Sequence, residues 1–165
     1  MKIKNIISQL PWARSNGEMK KDKISIVVVH HDGDIRPNAY NSLKRYIAEA
    51  NGHIAKKPIS WNHISYHYII DNVGVIFQCL PETEVGYHAG NLTINKKSIA
   101  IKLDGNMETQ QPTAKQLAAY KELMVWLTTK RPDLPKIVKS SVMGHFQVKA
   151  TACPGRNLKS RINKF

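Results

Sequence analysis

ISIVVVHH, residues 24–31, packs β-branched residues into a run too short for a helix, and so reads as a buried strand. Beyond it, Pro37 and Asn38 open a helix whose apolar positions Leu43, Tyr46, Ile47 and Ala50 recur at steps of three and four, with Gly52 as its stop. Residues 66–70 and 75–80 read as two more strands, reversed through Asp71 to Gly74, where Asn72 and Gly74 suit a tight turn. Residues 98–103 alternate apolar and polar side chains and give a further strand ending at Asp104 and Gly105. Thr113 and Gln116 match a capping box, in which hydroxyl and amide satisfy free N–H groups at a helix start. Leu117, Tyr120, Met124 and Leu127 follow at helical spacing, and Lys130 and Arg131 before Pro132 suit the negative end of that helix. Residues 137–138 and 141–143 read as short extended pieces, and the tail after Gly155 as one small helix. The fold class is α/β: one domain over 1–165, with a central mixed sheet flanked by helices.

A chain of 165 residues buries enough surface that a metal is not needed merely to hold it together, so a bound metal would do chemistry. Lys and Arg number 25 against 12 Asp and Glu, spread from Lys2 to Lys164. That excess favours a polyanionic partner such as nucleic acid, anionic lipid or bacterial cell wall. The start MKIKNIISQLPWAR is broken by Asn5, Ser8 and Gln9 and reads as no signal peptide, and no run is long enough for membrane insertion. The expectation is synthesis in a cytoplasm, which disfavours a disulfide between the two cysteines, Cys79 and Cys153. Cys79 reads as a buried strand residue; Cys153, in a loop, needs another reason.

In GHFQVKATACPG, residues 144–155, His145 and Cys153 look like two zinc ligands, and His30 at the end of the first strand is a third candidate. Zinc takes His nitrogen and Cys thiolate, and catalytic sites leave a fourth place for water, which can then ionise near pH 7 and attack a carbonyl carbon. Each residue also has a plainer reading: His30 as a hydrogen-bonded packing residue, Cys153 with His145 as a thiol nucleophile and its base.

VVVHHD at 27–32, WNHISYHYIIDNVG at 61–74, GYHAGN at 86–91, SIAIKLDGN at 98–106 and GHFQVKATACPG at 144–155 occur in an order that resembles one family. It is that of the zinc-dependent N-acetylmuramoyl-L-alanine amidases, which share a fold with peptidoglycan recognition proteins. The resemblance covers about 24–158 and implies His30, His145 and Cys153 as zinc ligands. It implies Tyr66 as the catalytic tyrosine of phage members, and Thr151 as the residue that helps polarise the substrate. His88 is implied as a lining of the substrate cleft; His31 is a second candidate, although strand alternation turns it away from His30 unless the strand has ended.

The resemblance has a gap at position 102, where many relatives carry a glutamate that acts as general base and this chain has lysine. Asp104 is a candidate substitute, and the change leans toward the phage endolysin branch. The implied function is zinc-dependent hydrolysis of the bond between N-acetylmuramic acid and L-alanine in bacterial peptidoglycan, by a lysis enzyme that reaches the wall after release. The alternative is a module that binds muropeptides without cleaving them. Nucleic acid is not the expected partner, since no groove-reading motif accompanies the charge.

Overall fold

The computed structural model describes residues 1–35 and 40–165. Its strands are β1 (Ile3–Asn5), β2 (Ile26–His31), β3 (Tyr68–Ile70), β4 (Ile76–Gln78), β5 (Ser98–Leu103) and β6 (Val142–Gly144). Its helices are α1 (Ser42–Ile54), α2 (Leu92–Asn95), α3 (Ala114–Thr129) and α4 (Arg156–Lys159). The strands form one mixed sheet in the order β1-β4-β3-β5-β2-β6. Among them only β3 and β4 run antiparallel, joined through Gly74 with φ of +84°, while Asp71 Oδ1 accepts the N–H groups of Val73 and Val75.

Alternation along the strands divides the side chains between two faces. On one, Val27, Val29, Tyr68, Ile99, Ile101 and Leu103 pack with α3 residues Tyr120, Leu123 and Met124 and with Leu158 of α4. On the other, the register sets His30, Lys102, Ile69 and Phe77 in one row across four strands. Tyr46 and Ala50 of α1 cover Ile69 and Phe77. The apolar half of that row is core, and the polar half is left to build a site.

Several boundaries differ from the sequence expectation. The start of the first helix expected at Pro37 and Asn38 falls outside the described residues; α1 itself is capped by Asn41, whose side chain accepts from Lys44 N–H at 2.9 Å. Gly52 lies inside α1 instead of ending it, since its cost of about 1 kcal/mol against alanine is outweighed by the packed face of Tyr46 and Ala50. β3 begins two residues late because Ala100 N–H donates to the ring Nδ1 of His67, replacing a ladder bond. Residues 137–138 form no strand, and the piece expected at 141–143 is β6, one residue on. β1 was not foreseen; three residues with one partly buried side chain carry no periodicity. Among the described residues no helix is long and apolar enough to cross a membrane.

Candidate metal centre

Parallel pairing brings two of the histidines together. Val27, Val28 and Val29 of β2 lie level with Val142, Met143 and Gly144 of β6, so the next residues, His30 still within β2 and His145 just past the end of β6, lie side by side. Their rings are 4.6 Å apart between centroids. Cys153 comes from the following loop, where Phe146 N–H donates to Cys153 O at 2.8 Å. Gly155, with φ of +88°, presses so closely on the neighbouring backbone that a Cβ there would collide with the carbonyl carbon of Met107.

Sγ of Cys153 lies 3.6 Å from Nδ1 of His30, and one donor atom from each of His30, His145 and Cys153 falls within 4.8 Å of the others. Zinc bonds of about 2.0–2.1 Å to nitrogen and 2.3 Å to sulfur at a tetrahedral angle require an N to S separation of about 3.6 Å. Nε2 of His145 is buried with no hydrogen-bond partner among the described residues, a state that calls for a bound group. The donor set therefore fits zinc.

Desolvation, reinforced by His88 and His145, holds His30 well below the ordinary imidazole range. Desolvation also lowers His145, against a backbone hydrogen bond with Ala89. Both rings are neutral at pH 7, as ligands must be. Burial pushes the Cys153 thiol up to about 11, although His31 N–H points at its sulfur from 3.4 Å. A thiol nucleophile needs its pKa lowered, so a Cys153–His145 thiol mechanism lacks its electrostatic basis.

The remaining candidates separate. Tyr66 lies edge-on to His30, with centroids 5.3 Å apart, and desolvation followed by Glu49 keeps its phenol protonated far above neutral pH. Thr151 is exposed, and its Oγ1 accepts from Cys153 N–H at 3.3 Å, which leaves the hydroxyl proton free to donate. His88 lines a cleft of about 470 Å³ with Trp61, Tyr87, Leu92, His145 and Lys149, a volume in the range of ligand sites. Both of its ring nitrogens are already engaged, with His30 and Ser98. His31 belongs to β2 to its last residue, so its ring faces the side opposite His30, where Nδ1 accepts from Met107 N–H at 3.0 Å.

Lys102 stands beside His30, fully buried, with Nζ 2.6 Å from Glu49, 3.4 Å from Asp104 and 3.5 Å from Asp32. Burial alone would lower its pKa, but Glu49 and Asp104 more than offset that and raise it, so it remains an ammonium and accepts no proton. Asp104 takes the hydroxyl protons of Tyr40 and Tyr46 on Oδ2 at 2.5 and 2.7 Å, while its buried Oδ1 has no hydrogen-bond partner among the described residues and faces Lys102 Nζ at 3.4 Å. Glu49, the carboxylate that meets Lys102 most closely, escaped sequence reasoning: nothing local tells which helix residue will cross to a strand. Ser98 and Lys149 lay inside quoted motifs, but with no signal of their own.

The fold and the site are those of an α/β protein built around a His-His-Cys donor set. The sequence profile of N-acetylmuramoyl-L-alanine amidases matches residues 20–156, and the chain belongs to that family. A peptidoglycan-recognition protein of Drosophila simulans is 30% identical over 145 residues, which span 86% of this chain and 74% of that protein. N-acetylmuramoyl-L-alanine amidase CwlH of Bacillus subtilis (strain 168) is 31% identical over 135 residues, 78% of this chain and 48% of that one. The solved structure of Drosophila PGRP-LB shares the fold, with a TM-score of 0.80 at 24% identity over 99% of this chain and 94% of that chain.

Proposed function

We propose that this protein hydrolyses the amide bond between N-acetylmuramic acid and L-alanine in bacterial peptidoglycan, using zinc held by His30, His145 and Cys153. The observation that carries the reading is the three converging donor atoms within 4.8 Å, with Nε2 of His145 buried and unpartnered among the described residues. Zinc bound there supplies Lewis acidity toward a carbonyl and lowers the pKa of water toward neutrality. Tyr66, which keeps its proton, donates to the substrate oxygen as negative charge grows on it, and the free hydroxyl proton of Thr151 supports the same charge from the loop. The cleft beside His145 receives the glycan and peptide, with Lys149 at its wall and a net charge of +13 favouring an anionic polymer.

The family's recognition proteins make the second reading a muropeptide binder that does not cleave. Cys153 favours cleavage, because losing one of three ligands is the simplest way to disarm such a site. We assign residues 1–165 as one amidase domain of a phage or prophage lysis enzyme, made in a cytoplasm and acting on the wall after release. The test is incubation of the protein with purified peptidoglycan in zinc, then with chelator. New L-alanine amino termini that disappear on chelation are expected. Retention of the protein on the wall without any such termini would support the binder.

A further inference from the structure

A buried chain of hydrogen bonds runs from the candidate metal centre to the backbone. Nε2 of His30 is 3.0 Å from Nδ1 of His88, Nε2 of His88 is 3.0 Å from Oγ of Ser98, and that Oγ is 2.7 Å from the carbonyl oxygen of Ile94. All three side chains are buried: His30 is 1% exposed, His88 6% and Ser98 0%.

The direction of every bond follows from its far end. A carbonyl oxygen only accepts, so the single hydroxyl proton of Ser98 is spent on Ile94. Ser98 must then accept from His88, which places the proton of His88 on Nε2. A neutral imidazole has one donor and one acceptor nitrogen, so Nδ1 of His88 accepts. The proton it accepts is the one on Nε2 of His30. Nδ1 of His30 is left bare, on the side where Cys153 Sγ lies 3.6 Å away. The contrary arrangement would turn the Ser98 and Ile94 oxygens lone pair to lone pair at 2.7 Å.

We infer that Ser98 and His88 are positioning residues that lock His30 in the tautomer offering Nδ1 to the metal. The inference rests on the metal-centre reading above and gives His88 a task other than touching substrate. A ligand histidine whose second nitrogen is held is better oriented and more basic, and removal of such a partner typically weakens metal binding about 10–100-fold. Ser98 also settles the direction from outside the cleft, where no substrate reaches it.

Two measurements on the full chain test the relay. In the metal-free wild type, nitrogen-15 NMR of the histidine rings should show the proton on Nε2 of both His30 and His88. Zinc affinity, measured by competition with a chromophoric chelator, should fall about 10–100-fold in Ser98→Ala and in His88→Leu. His88→Gln, whose amide oxygen can accept from His30, should recover part of that loss. A proton on Nδ1 of His30, or wild-type zinc affinity in both Ser98→Ala and His88→Leu, would overturn the relay. Should either variant fail to fold, the ring spectrum of the wild type decides alone. A wild type with the assigned tautomers that takes up no zinc would instead sink the metal-centre reading, so the two failures are distinct.

Discussion

Replacing Lys102 by methionine removes an ammonium that Glu49, Asp104 and Asp32 share while leaving its hydrocarbon volume nearly filled. Lys102 is 1% exposed at its side chain, against 0% for Asp104, 9% for Asp32 and 18% for Glu49, so water can do little to replace it. Deleting one partner of a buried ion pair costs about 3–5 kcal/mol, because the remaining charge stays desolvated. For a chain of this length each kcal/mol moves the melting temperature by about 2–4 °C, so a fall of about 6–20 °C is expected. Urea titration at pH 7 and thermal melting followed by circular dichroism measure both quantities. Two companion variants sharpen the test. Lys102→Glu, the residue that the family resemblance sets at this position, adds a fourth carboxylate and should be less stable than Lys102→Met. Lys102→Met with Glu49→Leu removes both members of the 2.6 Å pair and should be less damaged than Lys102→Met alone. A Lys102→Met protein within about 0.5 kcal/mol of wild type, the scatter of an ordinary surface change, would refute the argument.

Three further outcomes follow from the packing and the burial. Thr113→Ala deletes both the cap to Gln116 N–H and the hydroxyl bond to Asn72 O, and should cost about 1–2 kcal/mol in the same urea assay; a loss below about 0.3 kcal/mol would deny the cap its role. Gly86→Ala drives a Cβ into the carbonyl oxygen of Ser65 and must push the segment that leads into β3, so a loss of about 1–3 kcal/mol is expected in thermal melts; unchanged melting would show that the segment yields freely. In metal-free protein, burial raises the Cys153 pKa to about 11, so the reactive thiolate should grow about tenfold per pH unit from pH 7 to pH 10. Iodoacetamide labelling read by peptide mapping, which separates Cys153 from buried Cys79, checks this; a plateau by pH 8 would contradict it.

Residues 98–103 show what a sequence can and cannot disclose. Their alternation of apolar and polar residues marked a strand with the right ends, yet every one of the six is buried. Ser98 and Lys102 point into a polar interior, not to solvent, and only the folded structure reveals that one meets His88 and the other Glu49 and Asp104. The third helix was plain because its capping box is local, four residues that need no partner elsewhere. The His-x7-Cys spacing and His30 could be suspected from their chemistry, but the register of β6 on β2, which decides whether they meet, is set by contacts more than 100 residues apart in the chain. Glu49 was silent for the same reason. A helix period tells that a residue flanks the buried face, not what stands across from it.

His30 and His145 hang from the ends of two hydrogen-bonded strands, whereas Cys153 belongs to neither strand nor helix. Two thirds of the donor set is thus inherited with the scaffold, and the last third is a detachable choice made in a turn. A lineage could pass from cutting to sensing through a single codon at position 153 and keep its architecture intact, so divergence of these two trades within one fold demands no rebuilding of the sheet.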